Sequence, residues 1–201
     1  MKLFFLIFLL VNCFILALEA SHKKESIYWE NLTDTEKSNF ISNHNINDLV
    51  LEYYNGNLKI YDDEKVFELL DLLVTSDSEL LPLNFYLFNK LCSESDGFIS
   101  EALGKYCLNI ILNDPNYAIN YFTFERENLK KEKYSFQYFG MFLGYEMHFK
   151  DLGTSDIKYN LKQFEEYLNN HLQLNSKQNK ETLSLFYNCI SEEIKSMSEQ
   201  N

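Results

Sequence analysis

Between Leu80 and Cys92 nearly every position is apolar, and the polar interruptions are Asn84, Asn89 and Lys90. A helix that is apolar on nearly all sides has neighbours on nearly all sides, so this segment is predicted to lie at the centre of a helical fold. Ser76 and Glu79 have capping-box spacing, and Pro82 places the main helix start near Leu81. The polar turn Ser93-Glu94-Ser95-Asp96-Gly97 then reverses the chain, with Ser95 or Asp96 available as a cap. Beyond it Ile99, Ala102, Leu103, Tyr106, Cys107, Ile110 and Ile111 recur at helical spacing. Gly104, Leu108 and Leu112 add a second apolar strip, which predicts a helix clamped between two others. Asp114-Pro115 opens a third helix, with a carboxylate at the cap and proline where its missing amide costs nothing.

The flanking segments follow the same 3.6-residue period. Thr33 and Glu36 form a second capping-box pattern, predicting a short helix to about Ser42 that turns Phe40 and Ile41 inward. Val50 to Tyr61 has two readings. Asn55-Gly56 suits a two-residue β-hairpin turn, or it stops a helix running from Asp48 to Tyr54; the helical surroundings favour the second. Val66 to Val74 fills a helix around a narrow polar strip of Glu64, Glu68, Asp71 and Thr75. The charged run Glu125 to Lys133 predicts an exposed linker or helix end. Tyr134 to Phe149 is the most aromatic segment and is predicted helical, with Gly140 and Gly144 spaced for close helix packing. Two helices end the chain. The first is capped by Thr154 or Ser155, with Ile157, Leu161, Phe164, Leu168 and Leu172 inward. The second is capped by Ser176, with Leu183, Phe186, Tyr187, Ile190, Ile194 and Met197 inward. The fold class is therefore all-α, a multi-helix bundle or a short α-solenoid-like stack of helical hairpins, with a small β-hairpin near 50–61 as the local alternative.

Length and composition refine this picture. The 201 residues, 46% of them hydrophobic, suffice for one well-buried core. Lys2, an apolar stretch of about 16 residues and Glu19-Ala20-Ser21 have the layout of a secretory signal. The predicted organisation is thus a signal peptide at 1–20 and a single helical domain at 21–201, exported to a periplasm or to the exterior. No stable membrane span is expected after cleavage. Cys13 would leave with the signal, and Cys92, Cys107 and Cys189 remain. A Cys92–Cys107 bridge is not expected, because counting from the turn sets the pair about 13 Å apart at ~1.5 Å per residue, beyond the ~7 Å limit between Cα atoms. Asn31-Leu32-Thr33 is a glycosylation sequon if the chain enters a eukaryotic secretory pathway.

A net charge of −12 and a single arginine, Arg126, among 18 basic residues disfavour nucleic acid as a partner. The chain carries no phosphate-binding glycine loop, no GxSxG, no HExxH and no CxxC. His22, His44, His148 and His171 are too scattered for a metal set, and no cofactor is implied. The best residual constellation is Glu146, His148 and Asp151. On a helix His148 and Asp151 share a face, whereas Glu146 points away from His148 by about 200°.

These observations lead to the expectation of an exported, non-catalytic binding or scaffold domain acting on a protein or envelope partner. Two alternatives are a carrier of a small apolar ligand near Phe136 to Phe149 and an enzyme with an unfamiliar site near Glu146 and His148. The central hairpin is the sharpest structural expectation. Truncating Leu87 or Leu103 to alanine should lower stability in urea by about 2–5 kcal/mol, whereas Asp151→Ala should cost less than about 0.5 kcal/mol.

Overall fold

The computed structural model describes residues 26–60, 64–75, 77–95, 97–155, 157–174 and 176–199, without the side chains of 97, 98, 100 and 101. The expected signal peptide and the cap candidates Ser76 and Asp96 lie outside these residues. Among the described residues the chain is all-helical. A 3-10 turn at Trp29–Asn31 precedes α1 (Asp34–Asn43), α2 (Asp48–Tyr54), α3 (Glu64–Leu73), α4 (Leu81–Glu94) and α5 (Gly97–Asn113). Then follow α6 (Pro115–Asn128), α7 (Ser135–Asp151), α8 (Leu161–His171) and α9 (Lys177–Glu199).

Several helix starts follow directly from their sequence. Thr33 Oγ1 accepts from the Glu36 amide at 3.3 Å while Glu36 Oε2 accepts from the Thr33 amide at 2.8 Å, closing the capping box of α1. Asp114 accepts from the Tyr117 amide at 2.9 Å to start α6, and Ser176 accepts from the Asn179 amide at 3.0 Å to start α9.

The β-hairpin alternative at 50–61 is not formed. α2 occupies Asp48–Tyr54, and Asn55 keeps a right-handed helical backbone at φ −78°. A two-residue hairpin of this kind needs both turn residues left-handed. Only Gly56 is, at φ 73°, so the pair terminates the helix.

The expected start of α8 also moves. Thr154 Oγ1 donates to the Phe149 carbonyl at 3.1 Å and Ser155 Oγ to Glu146 at 2.7 Å, so neither caps a helix. Asn160 does so instead, accepting from the Gln163 amide at 3.0 Å, and Ile157 is buried from the preceding loop.

The architecture is a bundle in which the tightest pairings skip sequence neighbours. α7 is sandwiched between α5 and α9, and α6 also packs on α9. Three glycines allow this. A Cβ on Gly140 would lie 2.5 Å from that of Cys189, and one on Gly144 would lie 2.6 Å from the Glu193 Cβ and 2.7 Å from the Ile190 carbonyl. On the other side a Cβ on Gly104 of α5 would run into Glu146 and the Phe142 carbonyl of α7.

Around this sandwich an aromatic core ties four helices together. Phe85 of α4 lies 4.8 Å from Tyr121 of α6 and 5.7 Å from Phe139 of α7, and Phe122 lies 5.4 Å from Phe186 of α9, ring centre to ring centre. Leu87 and Leu103 are fully buried, as the sequence pattern predicts.

Cys92, Cys107 and Cys189 are free thiols. Cys92 and Cys107 nevertheless come within interaction range of each other, and burial first, then the Cys92 thiol, raises the Cys107 pKa. The 13 Å estimate takes α4 and α5 as lying side by side, whereas α5 lies mainly along α7.

Because a rigid backbone atom, the Ile190 carbonyl, stands where a methyl on Gly144 would go, α9 has to shift to admit it. Gly144→Ala should therefore lower stability by about 1–3 kcal/mol, measured by urea denaturation. An unchanged midpoint would show that the α7–α9 contact is looser than described.

Candidate functional site

The sequence constellation does not assemble. Glu146 turns toward α5 and accepts from Ser155, while His148, buried on a different face of α7, has its Nδ1 3.4 Å from Ser198 Oγ of α9. Ser198 directs its own proton to the Ile194 carbonyl at 2.8 Å, so it is not poised as a nucleophile for His148. Asp151 is exposed at the end of α7. The aromatic segment is mostly core: Phe136, Phe139, Phe142 and Leu143 are buried. Its cavity, about 290 Å3, is shared with the polar residues Ser93, Ser95 and Glu193. Among the described residues no three His, Cys, Asp or Glu side chains come together as metal ligands.

A different site is built where the 3-10 turn, α4, α6 and the start of α7 meet. Its first component is Glu125. Expected to be exposed with the charged run that follows it, Glu125 is instead fully buried. It accepts from the Ser135 amide at 2.6 Å and the Ser135 hydroxyl at 2.8 Å, and it forms an ion pair with Lys131. A carboxylate from the last turn of α6 thus caps α7, where free amides and the helix dipole both favour negative charge.

The second component is Glu30. Trp29 anchors its turn, buried edge-on against Phe40 and Tyr54 with ring centres at 5.2 and 5.6 Å. Glu30 Oε1 accepts from the fully buried Tyr121 hydroxyl, while Oε2 is buried with no hydrogen-bond partner among the described residues. Burial raises the Glu30 pKa. The Tyr121 hydroxyl, the residue's own backbone amide and the Lys131 charge oppose that rise, and the Glu125 charge adds to it. The Tyr121 pKa is raised in turn, by burial first and then by the charges of Glu30 and Glu125.

Asn89 completes the floor. It is 8% exposed, and among the described residues neither Nδ2 nor Oδ1 has a hydrogen-bond partner. Its amide lies beside the Tyr121 hydroxyl, close enough to moderate that pKa, without reaching hydrogen-bond geometry. Over these groups lies a cavity of about 380 Å3, lined by Glu30, Tyr86 and Asn89 and edged by Lys90, Lys131 and Lys133. Two of the lysines are held in place by rings. Lys90 Nζ stands 4.7 Å from the centre of Tyr53, and Lys133 Nζ 4.3 Å from that of Tyr138. Three ammonium groups around one opening are distinctive in a chain of net charge −12.

Two of these residues left a trace in the sequence: Asn89 and Lys90 are polar interruptions in a helix apolar on nearly all sides, positions that call for a reason. Glu30, Glu125 and Lys131 left none, because their meeting depends on tertiary contacts between the 3-10 turn, α6 and the α6–α7 loop. No protein-family model, no curated protein and no solved structure matches this chain.

The raised Glu30 pKa has a definite sign in stability. Between the ordinary value of 4.5 and its higher folded value, the folded chain holds a proton that the unfolded chain has released. This carboxyl's contribution to stability therefore falls as pH rises through that window. Urea midpoints of wild type and Glu30→Gln, followed from about pH 4 to about pH 7, should show the variant gaining on wild type with rising pH and then levelling off. A gain that shrinks with pH would mean that Glu30 is stabilised as the anion.

Proposed function

We propose that the chain is an exported, non-catalytic binding domain whose ligand occupies the lysine-edged cavity over Glu30 and Asn89. The observation that carries this reading is the unpartnered amide of Asn89 beside the unpartnered Glu30 oxygen, at the floor of a cavity of ligand size. Leaving a buried polar group unpaired costs about 1–3 kcal/mol, and binding sites are where such a cost is offset by a ligand. Export is supported by the signal-like layout of the first 20 residues. Among the described residues no helix is long and apolar enough to cross a membrane. The catalytic alternative draws little support from Glu146 and His148, which face different partners. The apolar-carrier alternative has only the partly polar cavity beside Tyr145.

Asn89→Leu tests the reading directly. Replacing an unpaired amide with an apolar side chain of similar size should stabilise the ligand-free protein, by about 1–3 kcal/mol in urea. A clear loss of stability in Asn89→Leu would show that the amide is satisfied within the fold and would remove the main support for a site here.

A further inference from the structure

We infer that the cavity is a receptor for a small zwitterion carrying a primary ammonium and a carboxylate, the free α-amino acids being the class that fits. The inference rests on the binding reading above and adds the ligand's chemistry. The floor presents two acceptors without partners, Glu30 Oε2 and Asn89 Oδ1, one of them on an acidic side chain. Tyr86 lines the same cavity, and Glu30 is near enough to contribute to the raised Tyr86 pKa, after the larger effect of burial. An acidic oxygen, an amide oxygen and an aromatic ring together make a site for an ammonium group. The rim has the opposite character, with Lys90, Lys131 and Lys133 against the single acid Glu132. Lys131 is already engaged by Glu125. Lys90 and Lys133 rest on tyrosine rings, which position an ammonium without neutralising it.

The two ends therefore select opposite charges. Asn89 Nδ2 supplies a further donor at the floor. The amide atoms are shut off from solvent, but the terminal torsion of an asparagine is broad and soft, so a modest rotation turns them to a ligand. A cavity of about 380 Å3 admits one molecule of this size and not an extended chain. A nucleotide or other polyanion suits the rim but sets its charge against Glu30, and a simple amine leaves the lysines unanswered.

The test uses the protein's own reporter. Trp29, the single tryptophan, adjoins Glu30 in the same turn and lies 6.3 Å from Tyr86, ring centre to ring centre. Its fluorescence therefore reports on this cavity. Each standard L-α-amino acid is titrated into the purified full chain at millimolar concentration, alongside its decarboxylated amine and its N-acetyl derivative, with thermal midpoints recorded in parallel.

The expected result is saturable quenching or enhancement by one or a few amino acids, with both modified forms weaker by about tenfold or more, the scale of one charge-assisted contact. Glu30→Gln should weaken the amino acid by a similar factor. Lys90→Met, which keeps the stem over Tyr53 and removes the charge, reads the carboxylate end separately should Glu30→Gln fold poorly. Equal binding of the amine or the N-acetyl form would overturn the zwitterion assignment while leaving a small-molecule site in place. No response to any amino acid would also overturn it. In that case a stabilising Asn89→Leu still supports a polar site for another ligand, and a destabilising one removes the site itself.

Discussion

The fold depends on how closely α7 approaches its neighbours. At Gly140 and Gly144 the backbone of α7 meets α9 without an intervening layer of side chains, and Gly104 brings α5 against its other side. Close-packed interiors tolerate little added volume, so these contacts fix the separation and register of three helices at once. The remaining helices fill in around that slab, α4 and α6 completing it through the aromatic cluster of Phe85, Tyr121, Phe122 and Phe139. The start of α7 is fixed as firmly as its middle, by the buried Glu125 carboxylate on the Ser135 amide. A helix held at one end by charge and along its length by backbone contact is a rigid wall. The lysine-edged cavity stands against the first turn of that wall.

The cavity is where local consistency gives way. Among the described residues five buried side-chain polar atoms lack partners, and three of the five, on Glu30 and Asn89, meet here, the others being His148 Nε2 and the Tyr187 hydroxyl. Folded chains break their own packing rules chiefly where the broken rule serves recognition. Charge sorts in the same place, with acidic groups beneath and lysines above, inside a surface that is otherwise strongly acidic. Such a separation produces a local field along the cavity axis, and for the proposed ligand that field would select more sharply than the volume does.

Much of the fold was legible in the sequence because the relevant signals are local. The Thr33–Glu36 box, Asp114-Pro115 and Ser176 each act within one helical turn. Leu87 and Leu103 were readable as core from periodicity alone. What escaped was decided by partners distant in sequence. Glu125 reads no differently from the exposed Glu127 and Glu132 that follow it, and only Ser135 and Lys131 make its burial tolerable. Ser155 looked like a helix cap until Glu146 engaged its hydroxyl. The approach of Cys92 to Cys107 follows from α5 being drawn along α7, which no spacing within the hairpin can show. For the candidate site the sequence offered Asn89 and its neighbour Lys90, and the meaning of Asn89 required Glu30, which stands 59 positions earlier.

Lys131 belongs to two structures at once, as the counterion of the carboxylate that caps α7 and as part of the cavity rim. An anion that drew its ammonium outward would leave Glu125 held by Ser135 and the helix dipole alone. The first turn of α7 would then open more readily, and its amides would exchange with solvent faster. Occupancy of the proposed site would in this way be coupled to fraying at a helix end, with the α6–α7 loop as the connection between them.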